Sequence, residues 1–381
     1  AVGSEIIIRP RKFIPRPHQE NMISAVVKGL QEHDRGKLIA ACGTGKTLAA
    51  LWVTEDELIK ADRVLILAPS ISLVGQTVKE WVEHKSKDFQ YLCICSDKSI
   101  LNEIEDVGEE SDIPVDDLDF PVTTTPEEVV SWIQKNQNKR QYIFSTYHSI
   151  PVIEDALRKF DDFNFDLIVF DEAHRTVGRA DQFFARALND SNIPSSKRLF
   201  MTATERMVNP IVKTLAKKSG TEVFSMDDEN KYGPVFHDFN FGKAIEAGVI
   251  ADYEIILAVV NGEEELELIK KNAYVIIEDG SSDQVTLSSD LLFKAGFLLK
   301  TLSSGESKKI ITFHSSRKNA IIFNRALETL NEKTSLSSGN PLFTYVLGDQ
   351  NSGERSIRIS KFENATVAVL GNVQVLVEGV D

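Results

Sequence analysis

The sequence predicts an α/β protein of two doubly wound, parallel-sheet domains in tandem, the second of them truncated. Three observations carry this expectation. Apolar, β-branched runs alternate with amphipathic stretches, the pattern of a parallel sheet covered by helices. A chain of 381 residues is long enough for two domains that each bury a core. The runs also fall into two series, joined across Tyr232–Asp252, a stretch broken by Gly233, Pro234, Gly242 and Gly248.

The first series contains candidate strands Lys37–Ala41, Arg63–Ala68, Tyr142–Ser145, Leu167–Phe170, Arg198–Thr202 and Thr221–Ser225. That set is enough for one complete domain over residues 1–238. Residues 239–252 read as a linker and 253–381 as a partial second domain. Its candidate strands are Glu254–Val260, Lys309–Phe313, Leu342–Leu347 and Thr366–Leu370, separated by helical patterns at Asp290–Leu302, Lys318–Leu330 and Gly353–Phe362. A sheet of this kind needs further strands after Asp381, so the chain reads as a fragment. Thr366–Leu370 is then expected to lack a neighbour and to form a weak edge. No short-period repeat or low-complexity tract is visible.

Composition narrows the class of protein. Apolar content of 42% and charge of 26% are ordinary for a globular protein. No stretch approaches the roughly 20 consecutive apolar residues of a membrane span, and the Ala-Val-Gly-Ser-Glu start lacks the layout of a signal peptide. Cys42, Cys93 and Cys95 are too few for a disulfide framework and read as reduced thiols of a cytoplasmic protein. The net charge of −14 argues against a surface that coats nucleic acid throughout, but leaves room for a local basic groove. Much of the acidity lies between residues 99 and 134, which contain no Lys or Arg; they read as a solvated insertion loop.

The run from Lys37 into Gly43-Thr44-Gly45-Lys46-Thr47 leaves a strand and enters a helix. Gly43 and Gly45 let the backbone wrap phosphate with its N–H groups inward, at the positive end of a helix dipole. Lys46 is placed to reach the β- and γ-phosphates, and the Thr47 hydroxyl to ligate Mg²⁺. Ala40 stands where the general pattern has glycine. Leu167-Ile-Val-Phe-Asp171-Glu172 ends an apolar strand with two carboxylates at the edge where doubly wound sheets bind ligands. Adjacent residues do not share a face, so two roles suit them: Asp171 for Mg²⁺ and Glu172 for the attacking water.

With Asp171-Glu-Ala-His174 beside the phosphate loop, the chain resembles the DEAH-box group of superfamily-two helicases and translocases, whose motor is two RecA-like domains. Arg16-Pro-His-Gln19 resembles the adenine-reading segment. Ala68 to Gln76, Phe144 to Ser149 and Met201-Thr-Ala-Thr204 are similar to motifs Ia, Ib and III. Phe313-His-Ser-Ser-Arg317 resembles motif IV, and Asn372 to Asp381 the start of motif V. Ser225-Met-Asp-Asp-Glu with Tyr232-Gly, and Phe241 to Gly248, look most like the motor segments of restriction–modification and related phage-defence enzymes.

The resemblance implies ATP and Mg²⁺ as ligands, with Arg16 and Gln19 at adenine, Gly43 to Thr47 at phosphate, and Gly379 and Asp381 at the ribose side. It implies that His174 and Thr202, Ala203 and Thr204 couple phosphate state to movement. It also implies nucleic-acid contacts at Ser70, Gln76, Thr146, Ser315, Ser316 and Arg317, with duplex DNA favoured over RNA. A nuclease or methyltransferase partner would lie outside this segment. An RNA helicase, or a nucleotide-gated binding module that does not translocate, are the competing readings. His18, His148 and His314 read as packing or hydrogen-bonding groups, and the Phe-rich segments as core. Glu205-Arg206 replaces the usual Pro-Arg after motif III, and Gly371 and Val377 stand where motif V often has hydroxyls. The arginine of motif VI is absent, so slow hydrolysis is expected of this segment alone.

Overall fold

The computed structural model describes residues 13–95, 122–179, 183–255, 274–278, 284–334, 341–347, 350 and 352–373. By internal contacts the chain divides into two compact units, with the boundary between Asp252 and Tyr253.

The first unit opens with α1 (Pro17–Glu32), started by Pro17 and by Gln19, whose side chain accepts the Arg16 N–H while its own N–H donates to the Arg16 carbonyl. Then follow β1 (Arg35–Ala40), α2 (Lys46–Glu55), β2 (Arg63–Ala68), α3 (Ile71–His84), β3 (Gln90–Ile94), β4 (Val122–Thr123), α4 (Pro126–Lys135), β5 (Gln141–Thr146) and α5 (Ile150–Leu157). The chain continues through β6 (Phe165–Phe170), β7 (Gly178–Arg179), α6 (Phe183–Arg186), β8 (Ser195–Thr202), α7 (Pro210–Lys218), β9 (Val223–Phe224), α8 (Glu229–Tyr232), β10 (Val235–Phe239) and α9 (Phe241–Glu246).

Eight strands form one sheet in the order β10-β1-β8-β6-β2-β5-β3-β4, with every pairing parallel. Strands buried on both faces read as continuous apolar runs. That is why β2 and β6 are evident in the sequence, with all but one residue of each buried. Among the described residues, no helix is long and apolar enough to cross a membrane.

Three sequence expectations change here. Thr221–Ser225 does not join the main sheet; only β9 forms, and it pairs antiparallel with β7. The edge beside β1 belongs instead to β10, which begins just after Gly233-Pro234 and ends within the stretch read as a linker. Its Phe236 ring packs so closely on α1 and β1 that a Cβ at Gly29 or Gly36 would lie 2.2 or 2.1 Å from it. Residues 239–252 carry α9 and are grouped with the first unit. Of the acidic stretch, 96–121 lie outside the described residues, whereas 122–134 hold β4 and most of α4, whose Val129 and Ile133 are buried in the core. Phe163, Phe165, Phe160 and Phe184 belong to the same apolar cluster, as core residues.

In the second unit, β11 (Tyr274–Glu278) and β12 (Gln284–Ser288) form an antiparallel pair. They lead to α10 (Ser289–Ser304), β13 (Lys309–Phe313), α11 (Arg317–Thr334), β14 (Leu342–Val346), α12 (Ser352–Asn364) and β15 (Ala368–Asn372). The parallel sheet runs β13-β15-β14. Leu299, Phe323, Leu327 and Val369 pack together, whereas Ala368 and Leu370 pack with Val346 and Phe362. Of the expected strand Glu254–Val260, residues 254–255 are irregular and 256–260 lie outside the described residues.

The strand expected as a deprived edge is the centre of this sheet. β15 pairs with β13 on one side and with β14 on the other, because the chain places its last described strand between two earlier ones. Among the described residues the edges are β13 and β14, and β13 leaves Ile311 and Phe313 exposed. Hydrogen exchange should therefore be slower in Ala368–Asn372 than in Lys309–Phe313. Equal or faster exchange in β15 contradicts the strand order.

Candidate active site

The phosphate loop follows β1, the acidic pair follows β6, and Thr202 ends β8, the strand between them. Register aligns Ile39 with Thr202 and Phe170 with Phe200, so the three strand ends open on one edge. Residues 43–47, 171–172 and 202, far apart in sequence, thus come together at one edge.

The loop's shape follows from its glycines. Gly43 and Gly45 have φ of 75° and 80°, a region that costs other residues about 1–2 kcal/mol. At Gly45 there is also no room, since a Cβ would lie 2.1 Å from Gln19 Nε2. Thr44 turns its hydroxyl into the loop, donating to the Ala41 carbonyl at 2.6 Å. The start of α1 is bound to this loop. His18 Nε2 lies 3.1 Å from the Thr44 carbonyl and Gln19 Nε2 3.5 Å from it, while Gln19 Oε1 accepts the Arg16 N–H at 2.9 Å. A carbonyl only accepts, so the His18 proton sits on Nε2.

Lys46 is 8% exposed. Its ammonium donates to the Ala40 carbonyl at 3.0 Å and lies 4.0 Å from Glu172 Oε1. Thr47 occupies the first turn of α2, and its carbonyl accepts from Trp81 Nε1 at 3.0 Å.

Asp171 is held from both sides: its N–H donates to the Leu67 carbonyl at 2.8 Å and its carbonyl accepts from Tyr147 Oη at 2.8 Å. One carboxylate oxygen accepts the Glu172 N–H at 3.0 Å. Glu172 is left-handed, with φ of 46° and ψ of 48°, a strained conformation for a residue with a Cβ. The resulting turn leaves its carboxylate near Lys46 through one oxygen and 3.3 Å from His174 Nδ1 through the other.

His174 Nδ1 also lies 3.1 Å from Thr202 Oγ1. The Thr202 hydroxyl spends its proton on the Thr204 carbonyl at 2.9 Å and accepts the Thr204 N–H at 3.3 Å. Nδ1 must therefore be the protonated nitrogen that donates toward Thr202 and Glu172. Ala203 is half-buried within this turn. Beneath it, Thr176 and Tyr232 join their hydroxyls at 2.8 Å, and burial holds the Tyr232 phenol well above its ordinary pKa.

The Thr47 hydroxyl and the Asp171 carboxylate are the hard oxygen donors that suit Mg²⁺ when phosphate and water complete its shell. They stand at the start of α2 and the end of β6, two elements that open on the same edge.

The residues expected at nucleic acid are more dispersed. Ser70 caps α3 by accepting the Leu73 N–H at 3.3 Å, and Gln76 donates to Glu80 Oε1 at 3.2 Å. Thr146 is buried, with its hydroxyl 2.9 Å from that of Ser149. In the second unit, Ser315 Oγ accepts from Asn319 Nδ2 and Ser316 Oγ from the Asn319 N–H, both at 3.2 Å, and Arg317 opens α11. His314 pairs with Thr312 Oγ1 at 2.9 Å, and burial, then Lys294, lowers its pKa. Gly379 and Asp381 lie outside the described residues.

Sequence reasoning did not single out Tyr147, Trp81 or Lys37. Tyr147 reaches a carbonyl 24 residues away and Trp81 one 34 residues away, pairings that no local pattern signals.

A phosphate-loop motif and an acidic pair at the ends of two strands separated by one other, in a doubly wound parallel sheet, define a RecA-like α/β protein. The family described as Type III restriction enzyme, res subunit, matches residues 12–207, just over half of the chain, and the chain belongs to that family. No curated protein matches it. The solved structure of the ATP-dependent Type ISP restriction-modification enzyme LlaBIII bound to DNA is similar over 97% of this chain and 25% of its own, with a TM-score of 0.76 and 24% identity. A nuclease-deletion mutant of the Type ISP enzyme LlaGI, in complex with a DNA substrate mimic, matches over 93% of this chain and 32% of its own, with a TM-score of 0.47 and 20% identity. The chain thus spans about a quarter to a third of these two relatives.

Proposed function

We propose that this chain is the ATP-driven motor portion of a restriction or defence enzyme that moves on double-stranded DNA. The observation that carries the reading is the placement of Lys46, Glu172, His174 and Thr202 in one run of contacts, 3.1 to 4.0 Å long, at the ends of β1, β6 and the β8 strand between them. Arg16 and Gln19 would read adenine, beside a loop whose N–H groups and Lys46 bind the phosphates. Mg²⁺, held by Thr47 and Asp171, would offset phosphate charge. Glu172 orients the attacking water and accepts its proton. Loss of the γ-phosphate changes what Glu172 faces, and His174 carries that change to Thr202 and Thr204. Gly379 and Asp381 would complete the ribose side. Ser70, Gln76, Thr146, Ser315, Ser316 and Arg317 mark the strand-binding segments, with main-chain groups contributing where a hydroxyl is already engaged. The likeness to a solved enzyme bound to DNA supports DNA as the track.

Phosphate release by the full-length protein should be stimulated most by duplex DNA, less by single strands and least by RNA. If about six to ten phosphates are contacted, affinity for DNA should fall roughly 10³- to 10⁵-fold between about 50 and 200 mM salt. Equal or greater stimulation by RNA overturns the assignment of substrate, and no nucleic-acid stimulation at all overturns the motor.

A further inference from the structure

Lys37 lies on β1, three residues before Ala40, with a side chain only 5% exposed. A buried ammonium is costly unless it is paired and hydrogen-bonded. Lys37 Nζ has both kinds of partner: Glu205 Oε1 at 2.6 Å and the Met226 carbonyl at 2.8 Å. Glu205 directly follows Thr204, so the strand that delivers the phosphate loop is tied to the turn that His174 contacts. Met226 secures the same turn, since its N–H donates to the Arg206 carbonyl at 3.2 Å and its sulfur accepts the Arg206 N–H at 3.5 Å.

These contacts close a ring. Lys46 faces Glu172, Glu172 faces His174, and His174 meets Thr202, which bonds Thr204. Glu205 then grips Lys37, and β1 returns to Ala40, whose carbonyl holds Lys46. Cutting the ring at Lys37 leaves the turn linked to the nucleotide site through His174 and through the backbone pairing of β8 with β1 up to Thr202, while Glu205 loses its side-chain tie to β1.

We propose that the Lys37–Glu205 ion pair is a positioning device that locks the 202–206 turn to the phosphate-loop strand and so transmits nucleotide occupancy to it. The inference rests on the ATP-site reading above. A pair that served only to neutralise a buried charge would be replaceable by an uncharged pair without loss of this response.

The test uses the full-length protein, the analogue AMP-PNP with Mg²⁺, and hydrogen exchange over residues 202–208. In the wild type the analogue should slow exchange there roughly tenfold. K37M/E205Q leaves no buried charge, and K37M alone leaves Glu205 in contact with solvent, so the two variants guard each other against misfolding. Both should bind AMP-PNP within about threefold of wild type, yet slow exchange at 202–208 less than about twofold and lose DNA-stimulated turnover. Retention of the wild-type exchange response in either folded variant overturns the proposal. A wild type that binds AMP-PNP without change at 202–208 overturns it alone, whereas a wild type that fails to bind overturns the ATP-site reading with it.

Discussion

Lys46→Ala should remove most ATP·Mg²⁺ affinity, whereas Glu172→Gln should keep the affinity and lose turnover. The lysine ammonium is nearly enclosed, with the Ala40 carbonyl and the Glu172 carboxylate as its neighbours. A charge-assisted bond contributes about 1.5–3 kcal/mol, and in the proposed site two phosphate groups would face this ammonium, so a loss of roughly 10²-fold or more in affinity is expected. Alanine also leaves the Ala40 carbonyl without its donor. Glu172→Gln preserves size and the left-handed turn but cannot take a proton from water. Losing a general base should cost about 10²- to 10⁴-fold in turnover. Calorimetry with ATP·Mg²⁺ and single-turnover phosphate release on the full-length variants separate the two roles. Unchanged affinity in Lys46→Ala removes the site assignment, and near-normal turnover in Glu172→Gln removes the assignment of base.

Trp81→Ala is expected to be the most destabilising single truncation near the site. Trp81 is wholly buried, edge-on to Tyr142 at 5.9 Å and to Phe144 at 5.5 Å. Its indole N–H also holds the Thr47 carbonyl in the first turn of α2. Truncating a buried large aromatic costs about 3–5 kcal/mol through lost transfer energy and the cavity left behind. Trp81→Phe keeps most of the volume and loses the hydrogen bond, so about 1 kcal/mol is expected. Chemical denaturation of the two variants should reproduce this order. The phenylalanine variant should also bind nucleotide more weakly than its small loss of stability implies, because the turn carrying Lys46 and Thr47 is less firmly held. Equal stability of all three proteins would show that Trp81 does not brace that helix.

Much of the site was legible before the fold was known, because its chemistry is local. Gly43, Gly45, Lys46 and Thr47 lie within five residues, and a loop that wraps phosphate at a helix start needs those residue types in that order. Asp171 and Glu172 end an apolar run, which places them at a strand terminus whatever the strand's neighbours. The central strands were legible for a related reason: a strand covered on both faces must be apolar throughout, as β2 and β6 are.

Strand order was not legible. Burial pattern reports what covers a strand, and parallel strands buried alike read alike, so nothing in Ala368–Asn372 announces a central position between β13 and β14. β10 was hidden because Gly233-Pro234 reads as punctuation, and none of its residues is fully buried. The same limit hid the partners of the active site. Lys37 and Glu205 are 168 residues apart, and Glu205 read in sequence only as a departure from Pro-Arg. By itself the sequence determined which residues are candidates to meet phosphate and water, since that depends on local backbone shape and side-chain chemistry. The tertiary structure alone decided what braces them, because a buried ammonium and its carboxylate can be matched only when β1 and the turn after β8 lie side by side.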